Sequence, residues 1–314
     1  MTVLRAFIRE DRVLQPFSTR LGRSADLVGV RLAAILDAET AHGTPPRLAD
    51  AMRYAILGGG KRFRPFLVIE CAGLFGVAPE AAINAAAALE CIHCYSLVHD
   101  DLPAMDNDEL RRGQPTVWKA YDEWTAILVG DALQGLAFEI LSAPASHASP
   151  AIRAELVHTL AVAAGSSGMV GGQALDLEAG TLQAAAKPDI AHVARLQAMK
   201  TAKLITAGCE MGAILGQAPP EQRAALKYYG ELLGFAFQIS DDLLDAEGSA
   251  ADVGKATGKD AAAGKATLVS LTGVERAREH MDEAVAAAIA ALEPFGDKAV
   301  ALAGAARFMG RRAS

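Results

Sequence analysis

The chain has 314 residues, 52% of them hydrophobic and 5% aromatic, with a formal net charge of −7 and four cysteines. That length can bury a substantial core, and the Ala- and Leu-rich, aromatic-poor composition favours packed helices over sheet. The acidic balance argues against nucleic acid as a partner, because displacing counterions from phosphates needs a basic face, and so few cysteines fit a reducing, cytoplasmic compartment.

The N-terminal run MTVLRAFIREDRVL is broken by Arg5, Glu10 and Asp11, so it lacks the apolar core of a secretory signal. No stretch reaches the ~18 uninterrupted apolar residues of a membrane span. Apolar periodicity and Pro/Gly punctuation predict helices over 23–40, 46–57, 64–76, 80–101, 122–142, 150–164, 189–216, 220–247 and 274–293. Ser149 and Pro150 mark one start, as N-cap and first helical residue, and Gly165 follows that helix's end. Strands have no place in this pattern. Several of these helices are apolar round most of their circumference, as helices inside a bundle are, and no linker or composition shift divides the chain. Residues 1–314 therefore read as a single all-α domain, a helical bundle able to enclose a central cavity.

The first charged motif, GGGKRFRP from Gly58 to Pro65, sets Lys61, Arg62 and Arg64 behind a glycine run, where cations and backbone amides can grip an anion. It is not a nucleotide-binding P-loop, because Ala55 and Arg62 stand where that pattern needs a glycine and a Ser or Thr. A plain loop with solvated charges is the alternative. Cys91, His93, Cys94 and His99 give a zinc-like spacing, but nothing completes a tetrahedral set, and thiols packed in a buried helix explain the cysteines better.

Two acidic motifs follow. Asp100, Asp101 and Asp106 form DDLPAMD, and Asp241, Asp242 and Asp245 form DDLLD. On a helix the latter three fall within about 100° of one another on an otherwise apolar element, so their carboxylates repel and a counter-cation relieves the cost. A single such motif suits a solvated acidic turn equally well; a second near the end of another long apolar helix favours two facing clusters. In the first motif Pro103 interrupts the helix, so Asp106 returns to the same face only if the chain bulges. Hard oxygen donors in opposed clusters suit Mg²⁺, which completes its shell with waters and phosphate oxygens, with Mn²⁺ as the alternative. That points to a diphosphate held between helices.

The remaining cations are less specific. Arg111 and Arg112 offer forks that match phosphate oxygens, or they simply neutralise Asp106, Asp108 and Glu109. Lys200 and Lys203, and Lys255, Lys259 and Lys265 in the Gly- and Lys-rich loop 248–265, read equally as anion contacts or solvated lysines.

Taken with GGQALDL, Lys200–Thr201, FQISDDLLD and DVGKATGKD, these motifs match in order and spacing the trans-prenyl diphosphate synthases over roughly residues 25–310. The chain most resembles the bacterial farnesyl diphosphate synthases, which share the four residues between DD and D of the first motif. The resemblance implies an all-α homodimer with a deep cavity per subunit. Its two aspartate motifs would face each other at the mouth, bridged by three Mg²⁺ to an allylic diphosphate. It implies Asp100, Asp106 and Asp241 as metal ligands, supported by Asp101, Asp242 and Asp245. Lys61, Arg64, His93 and Arg112 would hold isopentenyl diphosphate. Arg111, Lys200, Lys255 and Lys265 would hold the allylic partner, dimethylallyl or geranyl diphosphate, with Thr201 and Gln238 at the reaction centre.

Below Asp100 the resemblance expects an aromatic floor, and Tyr95, with Ser96 beside it, fills that place and implies the fifteen-carbon product, (E,E)-farnesyl diphosphate. A tyrosine packed in the core is the simpler alternative. Geranyl or geranylgeranyl diphosphate synthases of the same family are the neighbouring readings. A class I terpene cyclase fits less well, since it needs neither a second DDxxD nor GGGKRFRP. A non-catalytic partner subunit would be expected to have lost motif aspartates or arginines, and none is missing.

Overall fold

The computed structural model describes residues 2–181, 190–247 and 267–311, and these are helical apart from connections and one small hairpin. The first half comprises α1 (Thr2–Ala41), α2 (Pro46–Leu57), α3 (Phe63–Gly73), α4 (Pro79–Asp100), the strands β1 (Leu110–Arg111) and β2 (Gln114–Pro115), α5 (Val117–Ala120), α6 (Glu123–Ser142) and α7 (Pro150–Ala164). Then come α8 (Met169–Thr181), α9 (Ile190–Gln197), one π-helical turn (Ala198–Ala202), α10 (Lys203–Leu215) and α11 (Pro220–Glu247). The chain closes with α12 (Leu268–Thr272), α13 (Val274–Ala290), a 3₁₀ segment (Glu293–Ala299) and α14 (Val300–Arg311).

The predicted helices are all present, most within a few residues of their expected ends, and the departures have local causes. The helix expected from 23 begins at Thr2, because Arg5, Glu10 and Asp11 break an apolar run without breaking a helix. The helix expected over 189–216 is divided by the π turn. Ser149 and Pro150 do open α7, yet the Ser149 side chain makes no capping bond. The expectation of a strandless chain is corrected by the β1–β2 hairpin, antiparallel with Arg111 opposite Gln114. Arg112 and Gly113 form its two-residue turn at φ of 52° and 76°, the left-handed pair that matches strand twist. The unforeseen α8 starts through Gly171 and Gly172, residues that read as turn punctuation.

The apolar residues form two clusters that meet along α3 and α10. On α3, Val68, Ile69 and Ala72 face one cluster, and Phe66, Leu67 and Cys71 the other; on α10, Leu204, Ala207 and Met211 oppose Ile205, Cys209 and Ala213. That two-sided burial is what an apolar circumference produces. α4 packs on α3 and α6 in the first cluster, while α11 packs on α10 and α13 in the second. The Tyr229 hydroxyl, buried in α11, donates to the Leu302 carbonyl at 2.8 Å and ties α11 to α14. By length and composition α4 and α6 could each cross a membrane, but they pack on each other, α4 largely and α6 half buried, as core helices do.

Candidate active site

α4 ends at Asp100, ahead of Pro103, and the chain then curls back on the helix end. The Asp106 amide donates to the Asp100 carbonyl at 2.8 Å, and the Asp108 amide to that of Asp101 at 3.1 Å. The two extra residues of this motif are thus taken up in a bulge that returns Asp106 to Asp100. Asp101, only 2% exposed, faces the hairpin, where Arg111 donates from Nε at 2.8 Å and from Nη2 at 2.6 Å to its Oδ1. Asp100 stays half-buried. Burial, together with Asp106 and Asp101, raises its carboxyl to about 6 against the pull of Lys200 and Arg111. This end of the helix therefore carries more negative charge than its surroundings stabilise.

The second motif lies on α11 beside the π turn, an irregularity common at functional sites. Asp242, 5% exposed, accepts from Gln197 Nε2 at 2.8 Å and from Gln238 Nε2 at 2.9 Å. Gln238 Oε1 in turn accepts from Thr201 Oγ1 at 3.0 Å. The neighbouring Lys200 directs Nζ to Asp176 Oδ2 of α8 at 2.6 Å. This approach needs Gly172, where a Cβ would run into the backbone of Met199 and Lys200. Asp241 and Asp245 are half-buried, and Asp241 acts electrostatically on Arg64.

Two cavities open between these elements. One, of ≈ 390 Å³, is lined by Asp100, Lys200, Thr201, Tyr95, Ser96 and Gln173 among others. The second, of ≈ 450 Å³, is lined by Lys61, Arg112, Phe237 and Phe308 among others. Arg64 and His93 line both, so the cavities adjoin at that pair. Arg64 Nη1 stands 3.3 Å from His93 Nε2; because a guanidinium only donates, Nε2 is the acceptor. Burial, then Arg64, Arg112, Arg111 and Arg62, holds His93 well below the usual imidazole range, so the ring is neutral at neutral pH.

The glycine-rich loop is set by Arg62, a non-glycine residue at φ 49°. Its Nη1 donates to buried Glu90 at 2.5 Å and its Nη2 to the Ile56 carbonyl, which turns Lys61 and Arg64 toward the second cavity. Arg112 Nη1 donates to the Gly59 carbonyl across the same loop. Lys61 Nζ lies 5.4 Å from the Phe308 ring centroid, so α14 closes one wall.

The structure thus gathers Lys61, Arg64, His93, Arg112, Tyr95, Ser96, Asp100, Lys200 and Thr201 around adjoining cavities, with Arg111 on Asp101 and Gln238 on Asp242 behind them. Lys255 and Lys265 lie outside the described residues. Sequence reading assigned no role to Asp176, Gln173, Gln197 or Glu90, and it set Arg62 among the anion-gripping cations where the structure buries it on Glu90. A signal for the first two was present: GGQALDL puts Gln173 and Asp176 three apart on one helical face. As to zinc, burial pushes the Cys94 thiol up to about 12 and raises Cys91 as well, which keeps both protonated.

Among the described residues no three His, Cys, Asp or Glu side chains form a ready metal cage. The donor set nevertheless fits a magnesium ion that draws most of its shell from water and phosphate. A hard carboxylate, Asp100, stands at the cavity with the Asp106 backbone folded back on it, and its burial outweighs the pull of Lys200 and Arg111, so added positive charge would stabilise it.

A model of the polyprenyl synthetase family matches residues 45–301. The farnesyl diphosphate synthase of Escherichia coli K12 is 45% identical over 234 residues, 74% of this chain and 77% of that protein. The chloroplastic geranylgeranyl pyrophosphate synthase of Catharanthus roseus is 40% identical over 239 residues, 76% of this chain and 66% of that protein. Among solved structures, the apo FPP/GFPP synthase of Zymomonas mobilis superposes with a TM-score of 0.83 at 44% identity, over 95% of this chain and 99% of that one.

Proposed function

The chain belongs to the polyprenyl synthetase family, and from that premise we propose that it condenses isopentenyl diphosphate with dimethylallyl and then geranyl diphosphate, yielding (E,E)-farnesyl diphosphate and pyrophosphate. The observation that carries this reading is the pair of cavities adjoining at Arg64 and His93, one walled by cations and the other by Asp100, Lys200 and an apolar lining. Two diphosphates with touching hydrocarbon ends need that shape.

In this reading Lys61, Arg64 and Arg112 hold the isopentenyl diphosphate, and neutral His93 joins them without adding charge. Lys200 exchanges Asp176 for an oxygen of the allylic diphosphate, and Arg111 keeps Asp101 from competing for it. Asp100, Asp106 and Asp241, supported by Asp245 and by the clamped Asp101 and Asp242, would hold magnesium, three ions per site by family resemblance, with manganese as an alternative. Bound there, the metal would neutralise the diphosphate and make it a better leaving group. The allylic carbon–oxygen bond then breaks with its electron pair departing on pyrophosphate. Thr201 and Gln238 present oxygen dipoles to the remaining cation. The isopentenyl double bond supplies the pair for the new carbon–carbon bond, and the proton lost next to it goes to pyrophosphate. No nucleophile from the chain is needed. Lys255 and Lys265 are assigned to the allylic diphosphate by motif alone.

Tyr95 supports the fifteen-carbon stop, because it is buried and yet lines the cavity on the same helix as Asp100. A longer product is the second reading, favoured by the plant relative and by the FPP/GFPP synthase neighbour. The same proposal makes the chain a single-domain synthase acting as a cytoplasmic homodimer. Purified protein incubated with Mg²⁺, labelled isopentenyl diphosphate and geranyl diphosphate tests it, with products sized after dephosphorylation. A fifteen-carbon alcohol is expected, a longer one selects the second reading, and no elongation overturns the proposal in favour of a non-catalytic subunit.

A further inference from the structure

Gln173 is a buried amide without a hydrogen-bond partner among the described residues. It is 8% exposed, it lines the ≈ 390 Å³ cavity with Asp100, Lys200, Thr201 and Tyr95, and among the described residues neither its Nε2 nor its Oε1 has a hydrogen-bond partner. Buried side-chain amides are nearly always paired, and an orphaned one destabilises the free fold, so its persistence at a cavity wall marks a missing ligand. Its position is firmly set. Gly172 lets α8 approach the backbone of Met199 and Lys200, Gly171 lies against the Ser166 carbonyl and the Met199 side chain, and Asp176, one turn after Gln173 on the same face, pairs with Lys200 at 2.6 Å. The backbone approach at Gly172 thus sets the amide beside Lys200, the residue that grips the leaving diphosphate, whether or not Lys200 still holds Asp176.

A hydrocarbon tail cannot satisfy an amide, whereas the reacting end of an allylic diphosphate can satisfy both of its poles. We propose that Gln173 contacts the substrate there, directing its carbonyl oxygen at the allylic carbon that becomes cationic and its amino group at an oxygen of the diphosphate that departs with the electron pair. This assignment rests on the prenyl-transfer reading and adds a third oxygen dipole to those of Thr201 and Gln238, from the opposite element. Because such dipoles are stronger partners for separated charge than for the intact ester, the gain falls on turnover and not on substrate binding.

The test is Gln173→Met, which keeps the shape and removes the polarity, with Gln173→Leu as a second variant should the first fold poorly. With geranyl and isopentenyl diphosphates, kcat is expected to fall by about tenfold or more. The KM for isopentenyl diphosphate should stay within about twofold, since uniform binding is not removed. In the same variant the thermal midpoint of the ligand-free protein should equal or exceed that of the unsubstituted chain, because a group buried without a partner has been removed. A structural role for Gln173 would lower the midpoint instead. Unchanged kcat, or a lowered midpoint with kcat and both KM values shifted together, overturns the inference while leaving the prenyl-transfer reading intact. Failure of the unsubstituted protein to elongate removes that reading, and this inference with it.

Discussion

The ends of α4 and α11 carry the same doublet of aspartates and treat it in the same order with different chemistry. In each, the second aspartate is buried and committed to a partner in the chain, while the first stays half-buried. Among the described residues Asp101 accepts from a guanidinium, and Asp242 accepts from two neutral carboxamides. An ionic clamp neutralises a charge, whereas an amide clamp orients one and leaves it in place. The doublet on α4 is therefore a division of labour, Asp101 fastening the helix end and Asp100 lining the cavity, and on α11 Asp242 is likewise the more deeply buried of its pair.

Removing the first member of each doublet should have the largest effect. Asp100→Ala and Asp241→Ala are each expected to lower turnover by about 10²-fold or more, the scale of losing a group that stabilises developing charge. Steady-state rates decide it, and near-normal turnover in both would dismiss the paired-motif mechanism. The fastening members separate by stability. Asp101→Asn should cost about 3 kcal/mol, the low end for breaking a buried ion pair because Arg111 keeps some contact with water. Asp242→Asn should cost about 1 kcal/mol, as it exchanges one acceptor within a hydrogen-bond network. Urea titrations measure both, and equal losses would erase the distinction between the clamps.

Asp100 also makes the α4 end sensitive to pH. Its carboxyl titrates near 6 when folded against 3.8 ordinarily, so the folded state holds the proton more tightly. The corresponding stability is present below about pH 4 and is lost as pH rises through about 6, by about 1–2 kcal/mol once partial exposure is discounted. Denaturation of the metal-free protein at pH 4.5 and 7 should show this slope, and Asp100→Asn should abolish it. An equal slope in that variant would assign it to other groups. The smallest energetic effect is expected at Tyr95 in the cavity lining. Tyr95→Ala should lengthen the product with less than about tenfold change in rate, since it alters what fits and not what reacts. An unchanged product would place the stop elsewhere.

The site was legible in the sequence to the extent that it depends on residue type. Aspartate doublets, a glycine-flanked run of cations and a Lys-Thr pair are chemically specific, and Asp100, Lys61, Arg64, Lys200 and Thr201 from them line the two cavities. The roles within each motif were not legible. Nothing local distinguishes Asp100 from Asp101. The Arg111 fork that does so reaches back 10 residues, and the Gln197 amide that holds Asp242 comes from 45 residues away. Arg62 looked like one more phosphate ligand, yet it is buried on Glu90, 28 residues on.

By itself the sequence determined the helical class and most helix positions, because apolar periodicity and proline and glycine punctuation act over one or two turns. It also determined the kinds of chemistry available, since those belong to side chains as such. Tertiary structure alone decided the π turn that carries Thr201, the close approach of α8 through Gly172, the orphaned amide of Gln173 and the bulge that returns Asp106 to Asp100. Those depend on which surfaces meet, and dense packing between distant segments settles that in a way no local window of residues encodes.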